Sequence, residues 1–181
     1  MNHIMTPVRR TVLGALFVAL CVVLPIAFHS IPDAGTVILP MHIPVLICGM
    51  ICGWPYGFIC GLLGPLLSSL LTGMPPAAVL PPMMVECATY GAVTGLMLKY
   101  VHTKHLYADL YISLMTAMIV GRVVSGVAKA LIFTPDITMS AWIASSFVTA
   151  LPGIILQLVL IPHVVRLLMK TKYIPERYHK E

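Results

Sequence analysis

The sequence predicts an all-α integral membrane protein, a single domain over residues 1–181 built as a bundle of six transmembrane helices. Of its 181 residues, 59% are hydrophobic and 9% are charged, and the mean hydropathy is +0.97. A soluble domain carries about 25% charged residues. Because one crossing of a bilayer takes about 20 apolar residues, this length allows six spans and leaves almost nothing for a soluble domain.

The uncharged stretch 39–73 predicts two short helices, near 43–53 and 57–72, joined by a tight turn. It contains no Lys, Arg, Asp or Glu, and the segment 53–57 (GWPYG) interrupts it. Proline breaks a helix, and Trp and Tyr prefer the membrane–water interface. Small residues at helical spacing let helices approach closely, and here they are Gly49, Gly53, Gly57, Gly61 and Gly64, with Gly91 and Gly95 in the next span.

Four further apolar runs predict the remaining spans, near 12–28, 84–100, 106–133 and 141–169. Pro152 and Gly153 indicate a kink in the last of them. The intervening segments 29–42, 73–83 and 134–140 are typical of loops. Because residues 73–83 hold four prolines, we expect no regular helix there.

The basic residues predict that both termini are cytoplasmic, in a multi-pass protein of the cell membrane. Cytoplasmic segments are enriched in Lys and Arg, and with the N-terminus inside the three outer loops contain neither residue. The cytoplasmic segments then hold Arg9, Arg10, Lys99, Lys104, Arg166, Lys170, Lys172, Arg177 and Lys180. The net charge of +5 is thus a signal of topology and not of nucleic-acid binding.

Three charged residues lie inside predicted spans, where charge is costly and points to function. Glu86 lies near the outer end of the fourth span, and Arg122 and Lys129 lie seven residues apart on one face of the fifth. They form either a structural ion pair or a polar binding site open to the outside. In the second case the surplus positive charge could meet a carboxylate, a phosphate or an electron-rich ring.

Other side chains near the same end of the bundle could contribute to such a site. For His42 a hydrogen-bonding role is favoured over a metal-binding role, because no carboxylate or Cys stands at ligand spacing. Met74 and Met83 are either apolar filler or a soft surface over a flat ligand. Tyr90 could supply an aromatic contact, and Trp142 is typical of an interfacial anchor.

No motif for catalysis, metal or cofactor binding is present, so we expect a non-enzymatic protein with no cofactor. The phosphate-binding patterns GxxxxGK[ST] and GxGxxG are absent, so any ATP-driven role needs partner subunits. No serine stands near a base in the predicted arrangement. The cysteines form no CxxC pair and are expected to be buried free thiols: Cys21, Cys48, Cys52, Cys60 and Cys87.

Taken together, the chain resembles the S components of energy-coupling factor (ECF) transporters. The shared features are about 180 residues, six spans, both ends inside, the AxxxA pair Ala15 and Ala19 in the first helix, and the segment 40–76. Within the family the resemblance is to the branch associated with hydroxymethylpyrimidine, pyridoxine or related vitamins.

This resemblance implies a substrate-binding subunit of a vitamin transporter. It would bind a B-type vitamin or precursor from outside, dock through Ala15 and Ala19 onto a transmembrane coupling subunit carried by two ATPases, and topple to deliver its ligand inward. Hydroxymethylpyrimidine or pyridoxine is the favoured ligand, with pantothenate and cobalamin as alternatives. The family's pocket maps onto His42, Met74, Met83, Glu86, Tyr90, Arg122, Lys129 and Trp142. The rival interpretation is an autonomous small secondary carrier or channel, in which Glu86 and the basic pair form a relay.

Overall fold

The computed structural model describes residues 5–27, 37–133, 138–171 and 173–174, and every regular element in these ranges is a helix. The all-α prediction is therefore confirmed for the described part of the chain. The α-helices are α1 (Pro7–Ala27), α2 (His42–Cys52), α3 (Trp54–Thr72), α4 (Leu80–Tyr100), α5 (Leu106–Ala128), α6 (Met139–Ile143) and α7 (Leu151–Lys170). A π-helical segment, Lys129–Phe133, extends α5, and another, Ala144–Thr149, follows α6.

Four of these helical segments are long and apolar enough to cross a membrane, which supports the predicted membrane protein. They are Pro7–Ala27, Trp54–Thr72, Leu106–Phe133 and Leu151–Lys170. With 11 residues, α2 is only about 16 Å long, against a hydrocarbon core about 30 Å thick. The count of six spans and the cytoplasmic termini stay predictions.

Helix α4 is the centre of the bundle. It packs most extensively against α3, then against α5 and α2, while α1 contacts α3 and α2 on the other side. It is long enough to span a membrane but less apolar than the four segments above. Because its neighbours cover much of it, α4 can carry polar side chains that a lipid-facing helix would not tolerate.

The start of α4 corrects the prediction that the proline-rich segment 73–83 contains no regular helix. The helix begins at Leu80, so Pro81 and Pro82 occupy its first turn. The N–H groups of a first turn have no partner within the helix, and the fixed φ of proline suits that position. Two of the four prolines thus begin the helix instead of preventing it.

Glycines let α2, α3 and α4 approach at backbone distance, as their spacing predicted. A Cβ atom on Gly91 of α4 would overlap the backbone of Gly57 in α3, and one on Gly49 of α2 would overlap the backbone of Gly91. Along the same interface, Gly61 lies against the backbone of α4 at Cys87, and Gly95 against the start of α3. Since side chains at these positions would force the helices apart, glycine determines the spacing of the three helices.

The break predicted between the second and third helices is present but shorter than the predicted segment 53–57, because only Gly53 lies between the two helices. Helix α2 ends at Cys52, α3 begins at Trp54, and Pro55 lies in the first turn of α3. Gly53 between them has φ +94°, which side chains disfavour and glycine adopts freely. Its backbone N–H donates to the carbonyl of Gly49 at 3.1 Å, so the same residue closes α2 and opens α3.

The predicted last span, 141–169, is divided in the structure. The π-helical segment ends at Thr149, Ala150 separates it from α7, and α7 begins at Leu151 with Pro152 in its first turn. The interruption expected at Pro152 and Gly153 therefore lies at a helix boundary. The five cysteines are free and buried, as predicted.

We predict that Gly91→Ala destabilises the protein, whereas Gly14→Ala does not. The added methyl group on Gly91 would overlap the backbone of α3, while a Cβ on Gly14 would lie 3.5 Å from Tyr56 Cδ1, an ordinary contact. Overpacking of this kind costs about 1–3 kcal/mol, and alanine in a helix with room gains up to about 1 kcal/mol. Thermal unfolding in detergent, followed by tryptophan fluorescence, measures the difference. Equal midpoints for the two variants would contradict the role assigned to the glycines.

Candidate functional site

A cluster of polar side chains lies where α2, α4 and α5 meet. On α4, Glu86 and Tyr90 are one turn apart and therefore share a face. The Tyr90 hydroxyl donates a hydrogen bond to Glu86 Oε1 at 2.8 Å. Tyr90 is 1% exposed, and the Glu86 side chain is 15% exposed. A partly buried carboxylate is thus held by a charge-assisted hydrogen bond.

His42, the first residue of α2, completes this group. Its Nε2 lies 3.9 Å from Glu86 Oε1, and its ring is tilted against the Tyr90 ring with centroids 5.4 Å apart. The side chain is 2% exposed, yet neither ring nitrogen has a hydrogen-bond partner. His42 is therefore a buried polar group whose bonding capacity is unused.

The segment 37–41 holds His42 in place by resting on α7 and α1. The carbonyls of Val37 and Ile38 lie against Gly153, where a Cβ would come within 2.6 Å of the first. Gln157 Nε2 donates to the carbonyl of Leu39 at 3.5 Å, and Cys21 Sγ donates to the carbonyl of Met41 at 3.7 Å. The small residue at 153 and the amide at 157 thus position the start of α2.

Arg122 approaches the cluster from α5. It is 4% exposed, and its Nε has no hydrogen-bond partner. The preceding residue, Gly121, lies directly against the Tyr90 ring, so a side chain there would displace the tyrosine. The Arg122 guanidinium carbon stands 5.5 Å from the centroid of the Phe147 ring, a cation–π distance.

The structure does not contain the ion pair that was one of the two sequence-based hypotheses. Within the described residues, no ion pair joins Glu86 to Arg122 or Lys129, and Glu86 instead has the Nε2 atom of His42 at 3.9 Å. Lys129 is half-buried at the start of the π-helical segment after α5, within electrostatic reach of His42. The buried Arg122 and the partly buried Glu86 therefore have separate contacts.

Aromatic side chains of α6 and of the π-helical segment after it lie near α5 at the same level of the bundle. The Trp142 ring lies against Gly126 and meets Phe147 edge-on, with centroids 5.8 Å apart. Trp142 was expected from the sequence, but Phe147, its neighbour over Arg122, was not. Phe147 lies in the π-helical segment, so a helical period of 3.6 residues could not place it.

The two methionines predicted to line the site lie in different environments. Met83 is half-buried in the first turn of α4 and packs against the core. Ser125 Oγ donates to the carbonyl of Pro82 at 3.3 Å, which ties α5 to this turn. Met74 lies in the connection between α3 and α4 and is 39% exposed. Its backbone N–H donates to Thr72 Oγ1 at 3.2 Å.

The predicted docking residues Ala15 and Ala19 lie on the exposed side of α1. The opposite side of this helix is buried through Gly14, Phe17 and Cys21. Exposed apolar side chains surround the alanines, namely Val8, Val12, Leu16, Val23 and Ile26, and Thr11, one turn before Ala15, is also exposed. Helix α1 therefore presents a mostly apolar outer face with its smallest side chains near the middle.

Comparison with known proteins identifies the class to which this helical bundle belongs. The family described as "ECF transporter, substrate-specific component" matches residues 9–165, which is most of the chain. The chain therefore belongs to this family of transport proteins. Neither the curated proteins nor the solved structures give a match. A member of this family is a substrate-binding component of a transporter, not an enzyme, and works with an ECF module of coupling and ATPase subunits.

We predict that Tyr90→Phe lowers the stability of the protein more than Tyr111→Phe does. Loss of the Tyr90 hydroxyl leaves the half-buried Glu86 carboxylate without its donor, and a hydrogen bond to a charged group contributes about 1.5–3 kcal/mol. Tyr111 is 36% exposed on α5 and serves as the matched control. The measurement is the midpoint of thermal unfolding of each purified variant. An unchanged midpoint for Tyr90→Phe would rule out the assigned role of this hydrogen bond.

Proposed function

We propose that the chain is the substrate-binding S component of an ECF transporter that captures a B-type vitamin or vitamin precursor from outside the cell. One observation carries the proposal beyond family membership. Buried nitrogen atoms of His42 and Arg122 have no hydrogen-bond partner, and they lie around the partly buried Glu86 carboxylate and the Tyr90 hydroxyl. A small polar ligand at this position would supply the missing partners.

Leaving such buried groups unpaired lowers the stability of the protein. A buried donor or acceptor without a partner costs about 1–3 kcal/mol, and buried polar groups are paired in the great majority of native structures. The unpaired nitrogens here belong to two different helices. A ligand that forms hydrogen bonds with both would satisfy these nitrogens. Binding would then remove the cost of leaving them unpaired, and this gives the site affinity for a polar molecule.

The site offers complementary groups for the ligands considered from the sequence. Glu86 can accept hydrogen bonds from the amino group of a pyrimidine or from a hydroxymethyl group, which suits hydroxymethylpyrimidine or pyridoxine. Arg122 and Lys129 can instead bind the carboxylate of pantothenate or a phosphate, and cobalamin is a further candidate. The proposed contact set also includes Met74, Met83 and Trp142, together with His42 and Tyr90.

The outer face of α1 supplies the docking surface in this proposal. Ala15 and Ala19 are exposed, and small side chains allow a partner helix to approach closely. With six spans and both termini cytoplasmic in the cell membrane, the chain would dock on a transmembrane coupling subunit that two ATPases drive. Toppling of the bundle would then carry the site inward.

The rival function is an autonomous secondary carrier. Glu86 next to His42, at 3.9 Å, is the observation in its favour, because buried carboxylates and histidines serve as proton relays in transporters. The two functions differ in their need for partners. Uptake of a labelled vitamin by cells that express this chain without any ECF module would favour the carrier.

We predict that the double variant Ala15→Leu, Ala19→Leu abolishes uptake while ligand binding to the purified chain is unchanged. The bulky side chains would prevent close approach of the coupling subunit without touching the polar cluster. Val159→Phe is the control, because it adds bulk to a side chain 58% exposed on α7. Uptake is measured in cells that also express an ECF module, and the complex is measured by co-purification.

Two results would count against this docking surface. Normal uptake by the double variant would show that α1 does not dock. Loss of ligand binding in the double variant would show that its defect lies in the fold or the site, not in assembly.

A further inference from the structure

We propose that the ligand of this site carries a single carboxylate group, which Arg122 binds through two parallel hydrogen bonds. This inference rests on the proposed function and narrows the ligand to one chemical class. It follows from the state of Arg122, a guanidinium 4% exposed with an unpartnered Nε, together with the charges around it.

The orientation of Arg122 leaves its hydrogen-bonding edge available. Phe147 lies 5.5 Å from the guanidinium carbon, and a ring in this position interacts with the cation electrostatically without accepting its N–H bonds. Within the described residues, no carboxylate forms an ion pair with Arg122. Nε and a terminal nitrogen together match the two oxygens of a carboxylate, which is the strongest common partner of an arginine.

Among the described residues, the carboxylate of the cluster is that of Glu86, and it already has other contacts. Glu86 accepts a hydrogen bond from Tyr90 at 2.8 Å and lies 3.9 Å from His42. Its contacts are therefore with Tyr90 and His42 and not with Arg122. An anion that binds Arg122 must therefore come from outside the described part of the chain. Removing an arginine from water without an anionic partner is costly, which favours a ligand that neutralises it.

The charge balance favours a monoanion over a phosphate. Glu86, Arg122 and Lys129 together carry one surplus positive charge, and a single carboxylate neutralises it. A phosphate group carries up to two negative charges near neutral pH and needs a second buried cation. Lys129 is half-buried and not fully enclosed, so Arg122 is the only one of these two cations that is more than nine-tenths buried.

The remaining polar atoms define the other end of the ligand. Glu86 accepts hydrogen bonds, and the ring nitrogens of His42 can donate one and accept one. Together they suit hydroxyl or amide N–H groups. The inferred ligand is therefore a small monocarboxylic acid that carries hydroxyl or amide groups. Among the candidates above, pantothenate has this chemistry, whereas hydroxymethylpyrimidine and pyridoxine lack a carboxylate.

The test is calorimetric titration of the purified full-length chain with matched pairs of ligands. Each pair shares a skeleton and differs in the carboxylate: pantothenate and pantothenol, nicotinate and nicotinamide, biotin and biotinamide. Hydroxymethylpyrimidine, pyridoxine and pyridoxal phosphate complete the panel. We expect one carboxylate to bind at least about 100-fold more tightly than its neutral partner, because two charge-assisted hydrogen bonds are lost. A neutral compound or the phosphate as the tightest ligand would overturn the proposal.

Variants then assign the effect to Arg122. We expect Arg122→Met to weaken binding of the carboxylate about 100-fold while the weak binding of its neutral partner is unchanged. Arg122→Lys, which keeps the charge but loses the paired donors, should weaken it less. Arg166→Met is the control, because Arg166 donates to the Tyr107 hydroxyl at 2.6 Å on a different part of α5 and α7. Equal losses for both members of a ligand pair would show that Arg122 only supports the fold.

The outcomes separate this inference from the proposed function. Tight binding of a neutral vitamin that is insensitive to Arg122→Met would leave the S-component function standing and refute the carboxylate. Absence of binding across the whole panel, with no small molecule retained by the purified chain, would refute both. The comparison of ligand pairs on the unmodified chain needs no variant, so a variant that fails to fold does not weaken the test.

Discussion

The backbone contact between α3 and α4 is the constraint on which the rest of the structure depends. Gly57 and Gly91 meet with no room for a side chain, and Gly49 of α2 joins them. In a bilayer, helices gain little from hydrophobic burial and associate through close packing. These glycines therefore fix α4 between its neighbours. The same helix presents Glu86 and Tyr90 one turn apart toward α2 and α5. The glycine contacts that position α4 therefore also position these two side chains.

The hydrogen bonding of the polar cluster is incomplete. Glu86 and Tyr90 satisfy each other, but His42 and Arg122 keep buried nitrogens without partners. Such a half-satisfied network is costly for stability and is typical of a place where function is favoured over stability. The two π-helical segments, Lys129–Phe133 and Ala144–Thr149, lie beside it, and π-helical turns are frequent at functional sites.

The sequence was informative about helices and about glycine packing because both depend on local spacing. The break at Gly53 and the close approach at Gly91 follow from residue type and a period of 3.6. The site was only partly predictable. Arg122 was identified by its charge, but its partner could not be predicted, because Phe147 reaches it through π-helical geometry that shifts the period. Pairing of Glu86 with His42 depends on the segment 37–41, whose contacts with α7 at Gly153 and Gln157 no local pattern encodes.

The proposed role of the polar cluster is to hold a small molecule. Native mass spectrometry of the chain, purified in mild detergent from cells grown in vitamin-containing medium, tests it most directly. We expect a one-to-one adduct that dissociates as a small organic molecule and is lost when Glu86 is changed to Gln and Arg122 to Met together in a folded variant. A spectrum that shows only the mass of the bare chain, together with no binding in titrations with a vitamin panel, would show that the cluster does not hold a ligand.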